Sequence, residues 1–327
     1  MIMTITKLKY FCNFVEYYRE IPSIMKYFFF CILSLSLVLG MTCLSCSGRV
    51  DHIPQKQVDL RNVEGFASLD TVTAESWILA EASSGLVIAQ KAADRQMYPA
   101  SLTKMMTCVL ALENANMNDT VEISEDVYLV KISKSKLGMK FLMHDLLYEL
   151  MLTSDNDAAY AVAMNVAGDT LRFYDMMNSK ARDIGMYNTH FANPNGMPND
   201  SNYTTASDLL KLTDYTMRNP EFERIVSTRE KDVPLTDGTF LECHNTNKLL
   251  WDYEGCKGVK TGYTKAAGRC FTAAVTRDGV TLYAVVLKSN QFDRVFVDAS
   301  TILNYGFNVV EAWKENVKAN ISLNPEK

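Results

Sequence analysis

The chain has 327 residues, of which 48% are hydrophobic and 22% are charged, so it can form one large folded domain or two small ones. Its 33 basic and 38 acidic side chains give a formal net charge of -5. The chain therefore lacks the excess of basic residues typical of nucleic-acid-binding proteins, and we expect no nucleic acid as a partner.

Residues 1–49 have the features of an export leader. Lys26 precedes a long apolar run, and small residues and cysteines follow it, which is the layout of a secretory signal peptide. An uncleaved membrane anchor is the alternative, and Met25 is an alternative start. Cys46 lies in a possible lipoprotein processing site, so N-terminal lipid attachment is also open. The site is imperfect, because Cys43 occupies the position, three residues earlier, where an apolar residue is normal. In each case we expect the body of the chain to be exported.

Residues 50–74 are polar and irregular, and we interpret them as a linker to a folded domain over 75–310. That domain begins with two alternating apolar runs between Ser76 and Arg95, separated by a Ser-Ser-Gly turn, which predict a β-hairpin. Residues 311–327 are expected to form a short C-terminal tail, with no second β domain.

The segment from Met97 to Leu112 contains the first candidate site. Its leucine, methionine and alanine content predicts a helix that starts after Pro99, and Ser101 lies three residues before Lys104. Residues three apart share a helix face, so the amine can reach the hydroxyl. A serine becomes a strong nucleophile when a base takes its proton, and a lysine can be that base when burial lowers its pKa. An ordinary helix start with a hydroxyl cap is the alternative.

The junction of the next two helices contains the second candidate site. Apolar spacing predicts one helix over 141–153 and another after it, capped by Asp157 or Ser154. The hydroxyl of Ser154 can pass a proton to a leaving amine, and the amide of Asn156 can bind a lysine or a substrate carbonyl. Simple capping is again the alternative.

The last hundred residues are rich in strand patterns. Asp278 and Gly279 lie between alternating runs and predict a hairpin, and a helix is predicted from Arg294 to Val310. Strands at both ends with helices between them predict an α+β fold. We expect one antiparallel sheet built from both termini and flanked by helices, with a helical lobe inserted.

The first of these strands contains the third candidate site. Lys260 supplies positive charge, and Thr261 supplies a hydroxyl suited to a carboxylate. The missing Cβ of Gly262 predicts close approach of a substrate backbone to the strand. An exposed edge strand protected by lysines is the alternative.

Cysteine and histidine usage argues against a disulfide scaffold and a metal site. Half of the eight cysteines lie in the leader, and four in so large a body do not make a disulfide framework. Cys108 is predicted to be a buried free thiol, and a bridge between Cys243 and Cys256 is left open. The four histidines are scattered, so we expect no metal and no organic cofactor.

The three candidate sites occur together in a characteristic order. Ser154 lies 53 residues after Ser101, and Lys260 lies 106 residues after Ser154. The triplets S-x-x-K, S-D-N and K-T-G follow this order in penicillin-binding proteins and class A β-lactamases. The match extends through YPASLTKMMT, LTSDNDAAYA, MYNTHFANPNGMPNDSNYTTASDL and GVKTGYTKAAG. From about Glu75 to Phe307 the sequence resembles the serine-type D-alanyl-D-alanine carboxypeptidases, the low-molecular-weight penicillin-binding proteins of peptidase family S11.

The resemblance implies a β-lactamase/transpeptidase-like fold and an extracytoplasmic hydrolase that needs no cofactor. Its substrates would be peptidoglycan stem peptides, from which it removes the terminal D-alanine, and β-lactam antibiotics would inhibit it covalently. A D,D-endopeptidase or transpeptidase of the same family is the alternative.

The resemblance also implies roles for individual residues. Ser101 would be acylated and Lys104 would be the general base. Ser154 would relay a proton to the leaving amine, Asn156 would orient Lys104 and substrate, and Lys260 would support the relay electrostatically.

Four further residues are implied in substrate binding. Thr261 would bind the terminal carboxylate beside Gly262, and the N–H groups of Ser101 and Tyr263 would form an oxyanion hole. Family members often have an arginine near the start of the last helix for the same carboxylate. Arg294 is the candidate here, although Val295 occupies the position that aligns best by eye.

A β-lactamase is the less favoured rival. Class A enzymes use a glutamate to activate the water that attacks the acyl-enzyme. Between Asp157 and Pro220 the sequence has no glutamate, and the first one is Glu221. A non-catalytic cell-wall-binding module is a second rival, which the intact motif residues disfavour.

Overall fold

The centre of the computed structural model is a five-stranded antiparallel sheet built from both ends of the described chain. The structure describes residues 68–128, 134–290 and 293–323, with side chains up to 315. The predicted leader, with Cys43 and Cys46, and the linker up to residue 67 lie outside the described residues.

The strand order of the sheet is β2-β1-β9-β8-β7, so the first hairpin and the last three strands lie side by side. This arrangement confirms the predicted α+β fold. Both predicted hairpins are present, and the second turns at Asp278 and Gly279. The strands of the sheet are β1 (Ser76–Glu81), β2 (Val87–Lys91), β7 (Cys256–Thr264), β8 (Gly268–Arg277) and β9 (Val280–Ser289).

The segment between β2 and β7 forms the helical lobe, and a last helix follows β9. Two small hairpins belong to the lobe: β3 (Thr120–Glu122) with β4 (Lys140–Leu142), and β5 (Glu230–Pro234) with β6 (Phe240–His244). The helices are α1 (Lys104–Asn114), α2 (Met143–Tyr148), α3 (Asn156–Ala167), α4 (Thr170–Asp183), α5 (Ala206–Met217), α6 (Pro220–Ser227), α7 (Leu249–Asp252) and α8 (Arg294–Leu323).

The sheet separates two hydrophobic cores. Successive side chains of a strand point to opposite faces, so Ile78 packs with the buried residues of the helical lobe while Trp77 and Leu79 pack on the other face. On that second face, α8 contributes Ile302 and Leu303. The helix continues through residues 310 and 311, where the sequence predicts the end of the domain.

The structure corrects the predicted helix boundaries before α3. The helix predicted over 141–153 starts at Met143 and becomes a π-helical turn over Glu149–Thr153. Ser154 then adopts a left-handed conformation (φ 65°, ψ 34°), which ends that turn. The cap of α3 is therefore Asp155, whose side chain accepts from the N–H of Ala158, and the prediction of Asp157 or Ser154 is wrong.

The body cysteines are all free thiols, so the Cys243–Cys256 bridge is not formed and the prediction of a buried free Cys108 is confirmed. Among the described residues, no helix combines the length and the hydropathy needed to span a membrane. Within the same part of the chain, no three His, Cys, Asp or Glu side chains are grouped in a way that would hold a metal ion.

Candidate active site

Ser101 and Lys104 lie at the buried start of α1. A 3₁₀ turn over Ala100–Thr103 runs directly into the helix and places the two side chains one above the other. The Nζ of Lys104 is 3.1 Å from the Oγ of Ser101. This is hydrogen-bond distance, so a proton can pass directly between the hydroxyl and the amine.

The other partners of the Lys104 ammonium are uncharged. Its Nζ donates to the side-chain Oδ1 of Asn156 and to the backbone carbonyl of Asn195, both at 2.8 Å. The side chain is fully buried, and burial lowers its pKa to about 7, while the charge of Asp155 acts in the opposite direction. A substantial fraction of Lys104 is therefore neutral near pH 7 and able to accept a proton.

Sequence reasoning missed the contribution of the loop Asn193–Gly196. Besides the carbonyl of Asn195, this loop contributes the carbonyl of Pro194, which accepts from the hydroxyl of Thr107 at 2.6 Å. Gly196 has a φ of +83°, and a Cβ there would lie 1.8 Å from the carbonyl oxygen of Ala100. The Asn-Pro-Asn-Gly sequence signals a turn but carries no sign that one of its carbonyls binds a lysine.

Ser154 and Asn156 project from the turn between the π-helical segment and α3. The left-handed Ser154 reverses the chain, Asp155 caps α3, and Asn156 is the first residue of that helix. The carbonyl of Leu152 accepts from the N–H of Thr246, which links this turn to the chain that leads into β7. Asn156 contacts Lys104 directly. Ser154, which is partly buried, precedes Asn156 by two residues in the chain.

Lys260 adds a second buried amine from β7. Its Nζ donates to the backbone carbonyl of Thr261 at 3.0 Å. Burial lowers the pKa of Lys260 well below its usual range, and the charge of Lys104 lowers it further. The hydroxyl of Thr261 lies 2.6 Å from that of Thr246, at the edge of the same strand.

Gly262 packs against the backbone of the Ser101 turn. A Cβ at this position would lie 3.0 Å from the amide nitrogen of Ser101 and 3.2 Å from the Cβ of Ala100. The sequence predicts that the missing Cβ makes room for substrate. The structure shows that the chain before α1 occupies that space. Gly262 thus lets β7 pack closely against the backbone at Ser101.

Tyr263 lies at the rim of the site, and its side chain is 54% exposed. The guanidinium of Arg269, its cross-strand partner, lies 4.0 Å from the centroid of the tyrosine ring. This stacking holds the end of β7 and leaves the ring open to solvent.

Arg294 is bound elsewhere in the fold. Its guanidinium donates to the carboxylate of Asp298 and to the backbone carbonyl of Thr71. Asp298 is fully buried and also accepts from Thr73 and Ser289. These contacts tie the start of α8 to the chain before β1, and a role for Arg294 in carboxylate binding stays a prediction.

A buried acid lies behind the Ser154 turn. The carboxylate of Glu149 accepts from the thiol of Cys243 at 2.7 Å. Burial, with a contribution from the charge of Asp155, raises the pKa of Glu149 to about 7. The Cys243 thiol therefore joins the β5–β6 hairpin to the π-helical turn instead of forming a disulfide.

Glu221 is not available as a hydrolytic base in this site. Its carboxylate contacts the imidazole of His144 and the guanidinium of Arg224, on α2 and α6. These contacts lower the pKa of Glu221, against the effect of burial, and stabilise the two helices.

Comparisons with known proteins relate the chain to one family of peptidases. The family model described as "D-alanyl-D-alanine carboxypeptidase", peptidase S11, matches residues 64–291. A D-alanyl-D-alanine carboxypeptidase of Streptomyces sp. strain K15 is 37% identical over 256 residues, which cover 72% of this chain and 88% of the relative. The carboxypeptidase DacF of Bacillus subtilis is 29% identical over 73% of this chain, which spans only 63% of that relative. The crystal structure of the Streptomyces K15 DD-transpeptidase superposes with a TM-score of 0.69 at 33% identity, over 73% of this chain and 98% of that one.

Proposed function

Because the chain belongs to the D-alanyl-D-alanine carboxypeptidase family S11, we propose that it removes the terminal D-alanine from peptidoglycan stem pentapeptides through an acyl-enzyme on Ser101. The observation that carries this proposal is the contact of Ser101 with the buried Lys104, 3.1 Å away and held by Asn156. A serine hydroxyl beside a partly neutral amine is an activated nucleophile.

In the acylation step, neutral Lys104 takes the proton of Ser101 as the Oγ attacks the carbonyl carbon between the two D-alanines. The N–H groups of Ser101 and Tyr263 stabilise the oxyanion, and one such donor is typically worth about 3–4 kcal/mol. Collapse of the tetrahedral intermediate breaks the peptide bond, and the amine of the leaving D-alanine takes a proton through Ser154.

Residues of β7 bind the substrate and assist proton transfer. The hydroxyl of Thr261 donates to the terminal carboxylate of the substrate. The buried amine of Lys260, whose pKa responds to the charge of Lys104, supports proton transfer to the leaving group. Water then attacks the acyl-enzyme and releases the shortened peptide, so chemistry in two easier steps replaces one difficult step.

A transpeptidase or endopeptidase differs from a carboxypeptidase in the acceptor and in the bond that is cleaved. The superposed Streptomyces K15 protein is named a DD-transpeptidase, which favours transpeptidation as the second candidate function. All of these reactions would pass through an acyl-enzyme on Ser101. A transpeptidase transfers the acyl group to an amine instead of water, whereas an endopeptidase forms the acyl-enzyme by cleaving a cross-link.

Mass spectrometry of a stem pentapeptide incubated with the protein tests the reaction. We expect a product that has lost one D-alanine, with free D-alanine in equal amount. Ligation to an added amine, or cleavage of a cross-linked dimer without D-alanine release, would replace the carboxypeptidase with the second candidate. With nitrocefin we expect a stoichiometric burst and slow turnover, whereas rapid catalytic hydrolysis would indicate a β-lactamase.

We also propose that the body of the chain is exported and acts on the outer side of the membrane. The apolar run after Lys26 and the extracytoplasmic location of peptidoglycan support this proposal. If Cys46 carries a lipid, labelled palmitate enters the wild-type protein and not the Cys46→Ala variant. Exported protein without label in either form would mean simple cleavage or an uncleaved anchor, and protein retained in the cytoplasm would contradict export.

A further inference from the structure

We propose that Asp155, the central residue of the Ser154–Asn156 turn, is a positioning residue whose buried negative charge sets the pH range in which Lys104 accepts the Ser101 proton. The inference rests on the proposed acyl-enzyme mechanism and adds to it a residue that does not touch the reacting atoms.

The carboxylate of Asp155 is buried and held by two backbone N–H groups, and its residue directly precedes Asn156, which binds the active-site lysine. The residue is only 4% exposed. Its Oδ1 accepts from the N–H of Ala158 at 2.9 Å, and its Oδ2 accepts from the N–H of Ser135 at 3.1 Å. The next residue, Asn156, accepts from the Nζ of Lys104. One turn therefore carries both the neutral contact of the ammonium and, one residue earlier, a buried carboxylate.

The charges around Lys104 make Asp155 its counter-charge. Direct contacts of the ammonium are to neutral oxygens, and the amine that β7 contributes is that of Lys260, whose pKa burial lowers well below its usual range. Burial lowers the pKa of Lys104, and Asp155 is the group whose charge raises it. An opposite charge favours the ionised form of a lysine, so Asp155 limits how far burial shifts this group.

The groups that face Asp155 itself come from three other elements. Glu149 belongs to the π-helical turn, Cys243 to β6, and Lys134 to the chain before β4. Burial raises the pKa of Glu149, with Cys243 bonded to its carboxylate. At slightly acidic pH the carboxyl of Glu149 is therefore mostly protonated, and it adds little negative charge to the site there.

The expected sign follows from general-base catalysis. Lys104 must be neutral to accept a proton, so the acylation rate rises with pH through the pKa of Lys104. Removing the charge of Asp155 lowers that pKa, and the acidic limb of the rate profile moves toward lower pH. A charge beyond direct contact acts more weakly than the roughly one to three pH units of a contacting pair, so we expect a shift of about half a unit.

The test measures the second-order rate of acylation by a fluorescent penicillin between about pH 5 and 9, with the full chain. For Asp155→Asn we expect the acidic limb to move down by about half a pH unit, with a rate at about pH 5.5 that is about threefold above wild type. On the acidic limb the rate changes tenfold per pH unit, so a shift of half a unit changes it about threefold. Asn is as good a helix cap as Asp, so the cap of α3 is kept.

Asp169→Asn is the matched control. Asp169 is exposed and caps α4 through the N–H of Arg172, as Asp155 caps α3. Its replacement should leave the limb at the wild-type position. Asp155→Glu, which keeps the charge and weakens the cap, should also keep the limb near its wild-type position even if the overall rate falls.

Two outcomes would overturn the proposal: an unshifted limb in folded Asp155→Asn, or a limb that moves toward higher pH. If that variant does not fold, Asp155→Ser keeps a capping oxygen and removes the charge, and the same expectation applies to it. The readout needs only acylation by a β-lactam. Failure of D-alanine release from peptides would contradict the proposed substrate and leave this test intact.

Discussion

Ser101→Ala is expected to abolish both covalent labelling by fluorescent penicillin and release of D-alanine from a stem pentapeptide. Removing the nucleophile of a serine hydrolase costs about 10⁶-fold in turnover where it has been measured, so we expect a loss of roughly 10⁴-fold or more. Folding should be retained, because Lys104 keeps the carbonyl of Asn195 and the side chain of Asn156 as partners.

Ser179→Ala is the control for that experiment. Ser179 is an exposed serine on α4, and its replacement should change neither labelling nor release. D-alanine release by folded Ser101→Ala would assign the nucleophile to another residue. Lost release with retained labelling would separate the antibiotic-reactive serine from the catalytic one.

Lys104→Met is expected to slow acylation by about 10²–10⁴-fold, the range that a well-placed general base contributes. Methionine has nearly the same length and fills the buried space without a charge. The acylation rate that remains should lack the rise through pH 7, because the group that titrates there is gone.

The same variant should change the pH dependence of stability in a defined direction. In wild type, the pKa of Lys104 is lowered from 10.5 to about 7, so the folded state binds fewer protons than the unfolded state between these values. The free energy of unfolding of wild type therefore rises from pH 7 towards pH 10.5 through this group, and the full cost of the buried charge applies below pH 7. Lys104→Met has no such dependence.

Thermal unfolding at several pH values measures this difference. The melting temperature of Lys104→Met relative to wild type should be highest at about pH 6 and should fall as the pH rises to about 9. Loss of the lysine also leaves the oxygens of Asn156 and Asn195 without their donor, which costs about 1–3 kcal/mol each. This cost offsets the gain from removing the buried charge, so the melting temperature at low pH changes little in absolute terms. Lys211→Met, at an exposed lysine paired with Asp208, should show a constant difference from wild type. A constant difference for Lys104→Met as well would contradict a lowered pKa of the buried lysine.

Local sequence patterns were enough to predict the elements that form the sheet. Alternating runs on both sides of a Ser-Ser-Gly turn and of Asp278-Gly279 form hairpins because their side chains bury one face or both against the cores. The predicted helix boundary before α3 was wrong because helix propensity does not predict which residue adopts a left-handed conformation. Ser154 takes that conformation only in the context of the π-helical turn and of the contact between Leu152 and Thr246.

Residue identity and order also predicted side chains that the fold brings into contact, because Lys104 binds both Ser101 and Asn156, and the match to the family covers residues 64–291. The sequence alone could not show which backbone groups contact the side chains of the candidate site. The carbonyl of Asn195 binds Lys104, and Gly262 leaves room for the backbone at Ser101. A backbone carbonyl or a missing Cβ is the same in any loop or strand, so its use depends on what packs against it.

The sequence by itself determined the family, the sheet and the candidate nucleophile, base and amide, because these depend on residue type and on local periodicity. Only the tertiary structure decided that both lysines are buried, that the contacts of Lys104 are to uncharged oxygens, and that the carboxylate of Asp155, next to Asn156, is buried as well. The physical reason is that the protonation of a lysine depends on water exclusion and on charges distant in sequence. Both are set by how α1, the Ser154 turn and β7 pack together.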